Sequence, residues 1–124
     1  MHVTRPDAIV HSVLARVFVD DLAAALPIYQ ALSGPAVARR FEFGEVRLCW
    51  VGQFLLLQVP SAERGRYERV ATLLVADIEA ARRAVETAGG SVLDGPADAP
   101  NGARMIARHG DGAVFEYIEN ADPR

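Results

Sequence analysis

Lysine is missing from the 124 residues, so all 13 basic side chains are arginines. That excludes Schiff-base catalysis and the lysine of a phosphate-binding Walker loop, because both need an ε-amine that a guanidinium cannot replace. Cysteine is nearly absent too. The single thiol, Cys49, excludes an internal disulfide and a zinc cage of several cysteines. It lies between Leu48 and Trp50 with no neighbouring histidine, the setting of a buried structural thiol rather than a nucleophile. Only three histidines occur, His2, His11 and His109, and all three are expected on the surface. No apolar run approaches the ~20 residues needed to span a bilayer. The opening Met1-His2-Val3-Thr4-Arg5-Pro6-Asp7 lacks the apolar centre of a secretory signal. Neither a Gly-x-Ser-x-Gly elbow nor a Gly-x-Gly-x-x-Gly fingerprint follows a strand-like run. With a formal charge of −3 there is no bulk attraction to nucleic acid or anionic lipid. The expectation is a cytoplasmic protein that partners neither nucleic acid nor membrane.

What is present is a 51% apolar chain, long enough for one globular domain with a sizeable core over residues 1–124, and it contains a repeat. Val19, Asp21, Ala24, Ala25 and Gly34 recur as Val75, Asp77, Ala80, Ala81 and Gly90, an offset of 56 residues. Each Asp ends an apolar strand-like run and can cap a following helix; each Gly sits where that helix should stop. The spacing predicts a strand over 13–19, a helix over 22–33 and strands over 38–43, 46–51 and 54–59. Gly44-Glu45 and Gly52-Gln53 supply the hairpin turns. The second half predicts a strand over 70–75, a helix over 78–88 and strands over 91–93, 104–108 and 114–118. Pro27 falls inside the first helix, where it should kink it, and Pro60–Arg66 reads as a polar linker. The chain is therefore α+β, two βαβββ modules over about 12–60 and 67–119. Neither module can cover both faces of its sheet, so the bare faces should meet within the chain or across a dimer.

The paired Val-x-Asp-[Leu/Ile]-x-x-Ala junctions and the closing Gly112-Ala113-Val114-Phe115-Glu116-Tyr117-Ile118 resemble the vicinal oxygen chelate superfamily, which includes glyoxalase I, extradiol dioxygenases and bleomycin-resistance proteins. The resemblance covers about residues 12–119 and implies curved sheets around a cleft with helices outside. It also implies a homodimer. Enzymes of this family hold a divalent metal through a His on the first strand of each module and a Glu late in each. The His positions, seven residues before each junction Asp, fall here on Leu14 and Val70. The second Glu falls on Glu116, and the first on Leu56, or on Gln58 if the hairpin shifts by two. One acid and three uncharged side chains are not a divalent-metal ligand set. The resemblance thus implies a member without a metal, and no cofactor is expected.

Strand alternation gives the contents of the expected cleft. If Leu14 faces it, so do Arg16 and Phe18; the same parity assigns Phe54, Leu56 and Gln58, then Val70, Thr72 and Leu74, then Val114, Glu116 and Ile118, with Trp50 joining them. This is a largely apolar and aromatic surface with a few polar groups, suited to an apolar or aromatic small molecule. A plain sheet-on-sheet core has no use for Arg16 and Glu116, which must pair with each other, with a ligand or with water. Two functions fit. One is sequestration of an aromatic or drug-like compound, as in antibiotic resistance of the bleomycin-resistance type. The other is a metal-free isomerase, cyclase or hydrolase with Glu116 as general acid or base and Arg16 assisting. Sequestration leads because the sequence offers no second acid or base.

Overall fold

Each half of the chain folds as a strand, a helix and three further strands. The computed structural model describes residues 8–99 and 102–120. The first half comprises β1 (Val10–Val19), α1 (Leu22–Ser33), β2 (Arg39–Phe43), β3 (Val46–Val51) and β4 (Phe54–Gln58). A short 3-10 helix, Ser61–Tyr67, stands in place of the expected linker and leads to β5 (Thr72–Val75). The second half continues with α2 (Ile78–Thr87), β6 (Ser91–Ala97), β7 (Arg104–Arg108) and β8 (Val114–Glu119).

The strands form one curled sheet in the order β2-β3-β4-β1-β5-β8-β7-β6. The long β1 joins the two halves. Its first part pairs antiparallel with β5, Leu14 opposite Thr72, and its second part pairs parallel with β4, Arg16 opposite Leu55. In the second half β5 pairs parallel with β8, Thr72 opposite Glu116. Arg16 and Thr72 are repeat equivalents, so this register makes Leu55 the counterpart of Glu116.

Both helices lie on the same face of the sheet, and their starts use the same device twice. Asp21 accepts from Ala24 N at 3.2 Å, and Asp77 from Glu79 N and Ala80 N at 3.0 and 3.3 Å. A second acceptor comes from the strand beside each helix: Gln58 Oε1 takes Leu22 N at 2.8 Å, and Glu119 Oε2 takes Ile78 N at 3.0 Å. These satisfy N–H groups that the first helical turn leaves free. Helix α1 runs unbroken through Pro27. It ends at Gly34 with φ 67°, whereas the left-handed residue after α2 is Gly89, φ 91°, not Gly90. Gly90 is required for space: a Cβ there would lie 2.5 Å from Arg108 O.

Behind the sheet, Val19, Leu22, Leu26, Cys49, Val51 and Leu56 pack under α1, and Val75, Ile78, Ala81, Val85, Met105 and Tyr117 pack under α2. A third cluster, built around Leu14, Leu48, Leu55, Leu57, Leu74 and Ile118, covers the opposite, concave face. Strand ends differ from the sequence pattern by two residues or more in three places. β1 begins at Val10. β5 begins only at Thr72, leaving Val70 62% exposed. β6 extends through Gly95-Pro96 to Ala97 as an edge strand with register shifts, a position where such residues are tolerated. No helix among the described residues is long and apolar enough to cross a membrane.

Candidate functional site

The concave face is divided by chemistry. On the side of the first module, Phe41, Phe43, Val46, Leu48, Leu55 and Leu57 wall a pocket; on the other side stand Arg16, Tyr67, Arg69, Arg104 and Glu116. The cavity measures about 40 Å³, within about 500 Å³ of space counted out through its open mouth.

Glu116 organises the polar half. Its Oε1 accepts from Arg16 Nη1 at 2.7 Å and from Thr72 Oγ1 at 2.7 Å, and its Oε2 from Arg104 Nε at 3.3 Å. Arg16 Nη1 also reaches Thr72 Oγ1 at 2.8 Å, and its Nη2 donates to Tyr67 O at 2.6 Å. The strands place these groups: β1, β5, β8 and β7 each contribute one side chain by alternation, while the 3-10 helix brings up the Tyr67 carbonyl. The Arg16 and Glu116 side chains are 7% and 12% exposed. Burial lowers the Arg16 pKa, with the Glu116 charge opposing it; a guanidinium remains cationic under such a shift. Arg104, 17% exposed, lies 3.5 Å from Asp94 with its guanidinium 5.0 Å from the centre of the Phe43 ring. Arg69 flanks the cluster. Among the described residues its side chain bonds only the adjacent Glu68 carbonyl, at 2.6 Å, and makes no ion pair; burial lowers its pKa as well, against the pull of Glu116.

The expected cleft residues divide in the same way. Leu14, Arg16, Thr72, Leu74, Glu116 and Ile118 share the concave face as alternation predicts. Phe18 and Trp50 also pack on that side, yet neither lines the pocket. The Arg64 guanidinium sits 5.6 Å from the Phe18 ring centre and that of Arg39 5.3 Å from Trp50, whose Nε1 donates to Gly52 O at 2.8 Å. For β4 the expectation is reversed. Phe54 and Leu56 pack toward α1, Phe54 edge-on to Tyr29 with ring centres 4.9 Å apart, and Gln58 caps that helix. The tight hairpin pairs Val51 with Phe54, so β4 takes its parity from β3 and presents Leu55 and Leu57 to the pocket. Val70 lies before β5, and Val114 is half-buried at the start of β8. His11 and His109 are half-buried rather than on the surface: the His11 ring bonds Asn120 O at 3.0 Å, and His109 stacks on Phe115 and bonds the Tyr117 hydroxyl. His2 lies outside the described residues.

Sequence reasoning missed Phe41, Phe43, Tyr67, Arg69 and Arg104. Parity within β2 and β7 could have found Phe41, Phe43 and Arg104. Tyr67 and Arg69 come from the connection, which carries no periodic signal.

The side chains present do not fit a divalent metal. By register the four positions are Leu14, Val70, Leu55 and Glu116, three of them hydrocarbon, and the one carboxylate is already held by two guanidinium groups. No group of three His, Cys, Asp or Glu converges among the described residues.

Among solved structures, an uncharacterized protein from Methanosarcina mazei is 32% identical with a TM-score of 0.81, over 93% of this chain and 96% of that one. Methylmalonyl-CoA epimerase from Mycobacterium tuberculosis is 17% identical with a TM-score of 0.68, over 96% and 94%. A single-residue variant of the Streptomyces coelicolor methylmalonyl-CoA epimerase, in complex with 2-nitronate-propionyl-CoA, is 18% identical with a TM-score of 0.64, over 92% and 98%. No curated protein matches the sequence. The pattern of the Glyoxalase/Bleomycin resistance protein/Dioxygenase superfamily matches residues 8–117. With its paired βαβββ modules and concave cleft, the chain belongs to that superfamily.

Proposed function

We propose that this chain is a metal-independent binding protein that holds an apolar or aromatic small molecule in the concave pocket, in the manner of a sequestering, bleomycin-resistance-type member. The observation that carries the reading is the pocket itself: an aromatic and aliphatic wall faces fixed arginines across one concave surface, the pattern in which burial gives affinity and charged hydrogen bonds give orientation. The epimerase neighbours support the fold alone, and none of their chemistry is carried over.

Catalysis by Glu116 is the weaker alternative. A carboxylate has about four acceptor positions, and Arg16, Thr72 and Arg104 take three of them. A general base would have to work through the one that remains. The experiment is to incubate chelator-treated protein with a mixture of aromatic compounds and analyse what it retains by mass spectrometry. Retained compound released unchanged is the expected result; a change of mass or isomeric form would overturn it. Elemental analysis of the protein as purified should find well below one equivalent of zinc, nickel, iron or manganese. A homodimer is the proposed assembly, and sedimentation showing a monomer at micromolar concentration would contradict it.

A further inference from the structure

The charges around Glu116 do not balance. Arg16, Arg69 and Arg104 face this single buried carboxylate, and the other carboxylate whose charge acts on Arg69, Asp94, is 68% exposed and 3.5 Å from Arg104. Arg16 and Arg104 both pair with Glu116, and Arg104 also with Asp94, which leaves Arg69 as the guanidinium of the three without an ion pair among the described residues. Arg69 is the clearest case. It lines the pocket, its Nε is buried without a hydrogen-bond partner, and it makes no ion pair with any described residue. Arg69 is half-buried, so water still reaches part of its guanidinium while the Nε–H is left without an acceptor; an anionic ligand would supply both an acceptor and a counter-charge.

From this geometry we infer that the pocket selects an oxyanion, a carboxylate or phosphate, carried on a compact apolar body, with Arg69 and the outer edge of Arg104 receiving the anion and Phe41 and Phe43 receiving the body. The inference rests on the proposed binding function and names its ligand class. Planar guanidinium groups take carboxylate and phosphate oxygens in paired hydrogen bonds. Arg104 is already fixed by Glu116 and lies over the Phe43 ring, so the polar and aromatic halves of the site meet there. Glu116 then acts as a positioning residue: it holds Arg16 and Arg104 in place and repels an anion from the base of the pocket.

The test is calorimetric titration of chelator-treated protein with phenylacetate, phenyl phosphate and the neutral phenylacetamide, extended to matched acid and amide pairs with branched aliphatic bodies. At least one anion should bind about tenfold more tightly than its amide, the scale of one charged hydrogen-bonded contact. That advantage should shrink with added salt, and in Arg69→Gln the ratio of acid to amide affinity should fall toward one. Comparing the carboxylate with the phosphate shows which head group the site takes. Equal binding of acids and amides would overturn the anion inference and leave the binding function standing. Loss of both acid and amide binding throughout the series would overturn both. Arg69→Gln retaining the full preference would also overturn the inference; because the Arg69 side chain bonds only its neighbour's carbonyl among the described residues, this variant is expected to fold.

Discussion

At the scale of single residues, the Arg16–Glu116 pair shows both what alternation can reveal and what it hides. Two ionisable residues on an apolar face demanded partners, and they found each other at 2.7 Å. Removing one partner from a pair this buried leaves an uncompensated charge, so Glu116→Gln should cost about 3–5 kcal/mol in urea unfolding. The double variant Arg16→Met, Glu116→Leu should recover most of the loss, since a hydrophobic replacement of a buried pair is often neutral. If the double variant is as unstable as the single, the pair contributes more than mutual neutralisation. Cys49 behaves in the opposite way, as a group with nothing to do. It is 0% exposed, and burial raises its thiol pKa above the usual 9.0, against the weaker opposing charge of Arg40. The folded protein should therefore resist thiol reagents at pH 8 and react fully once unfolded. The native state keeps the proton that the unfolded chain releases near pH 9, so this contribution is fully present below that pH and is lost as pH rises toward the folded value.

Among the elements, the helix starts were legible because a capping Asp after an apolar run is a local signal. Asp77→Ala should lower stability by about 1 kcal/mol in thermal or urea unfolding. Gly90→Ala should cost more, about 1–3 kcal/mol, because its methyl group would meet the Arg108 carbonyl and a Val85 methyl 2.8 Å away. A cost of a few tenths would show that the β6–β7 backbone yields there. Gly90 also marks a limit of sequence reading. Repeat alignment matched it to Gly34, but the residue with positive φ is Gly89, and only the fold shows that Gly90 is needed for close approach. Strand β4 marks another. In Phe54-Leu55-Leu56-Leu57 every residue is apolar, so alternation carries no information and the parity is set by the hairpin. An assignment one residue out of register exchanges the two faces. That is why Phe54 and Leu56 were expected in the cleft while Leu55 and Leu57 occupy it. Thr72 and Glu116 were legible because polar residues stand out on strands that are otherwise buried.

For the whole molecule, the repeat produces a symmetric scaffold and sequence divergence makes its concave face amphipathic. Leu55 and Glu116 occupy equivalent places, one in the hydrocarbon wall and the other at the centre of the arginine cluster. Arg16 and Thr72 are likewise equivalent and both turn toward Glu116. The central claim is that this divided surface receives a small molecule without a metal. Methyl-labelled, chelator-treated protein titrated with phenylacetate in an NMR experiment tests it most directly, because the sheet separates two sets of methyl groups by one residue of alternation. The account predicts progressive, saturable shifts at Val46, Leu48, Leu55 and Leu57, with Val51 and Leu56 on the helix side little changed. Shifts centred on Val51 and Leu56, or shifts that arise only after a divalent metal is added, would contradict it.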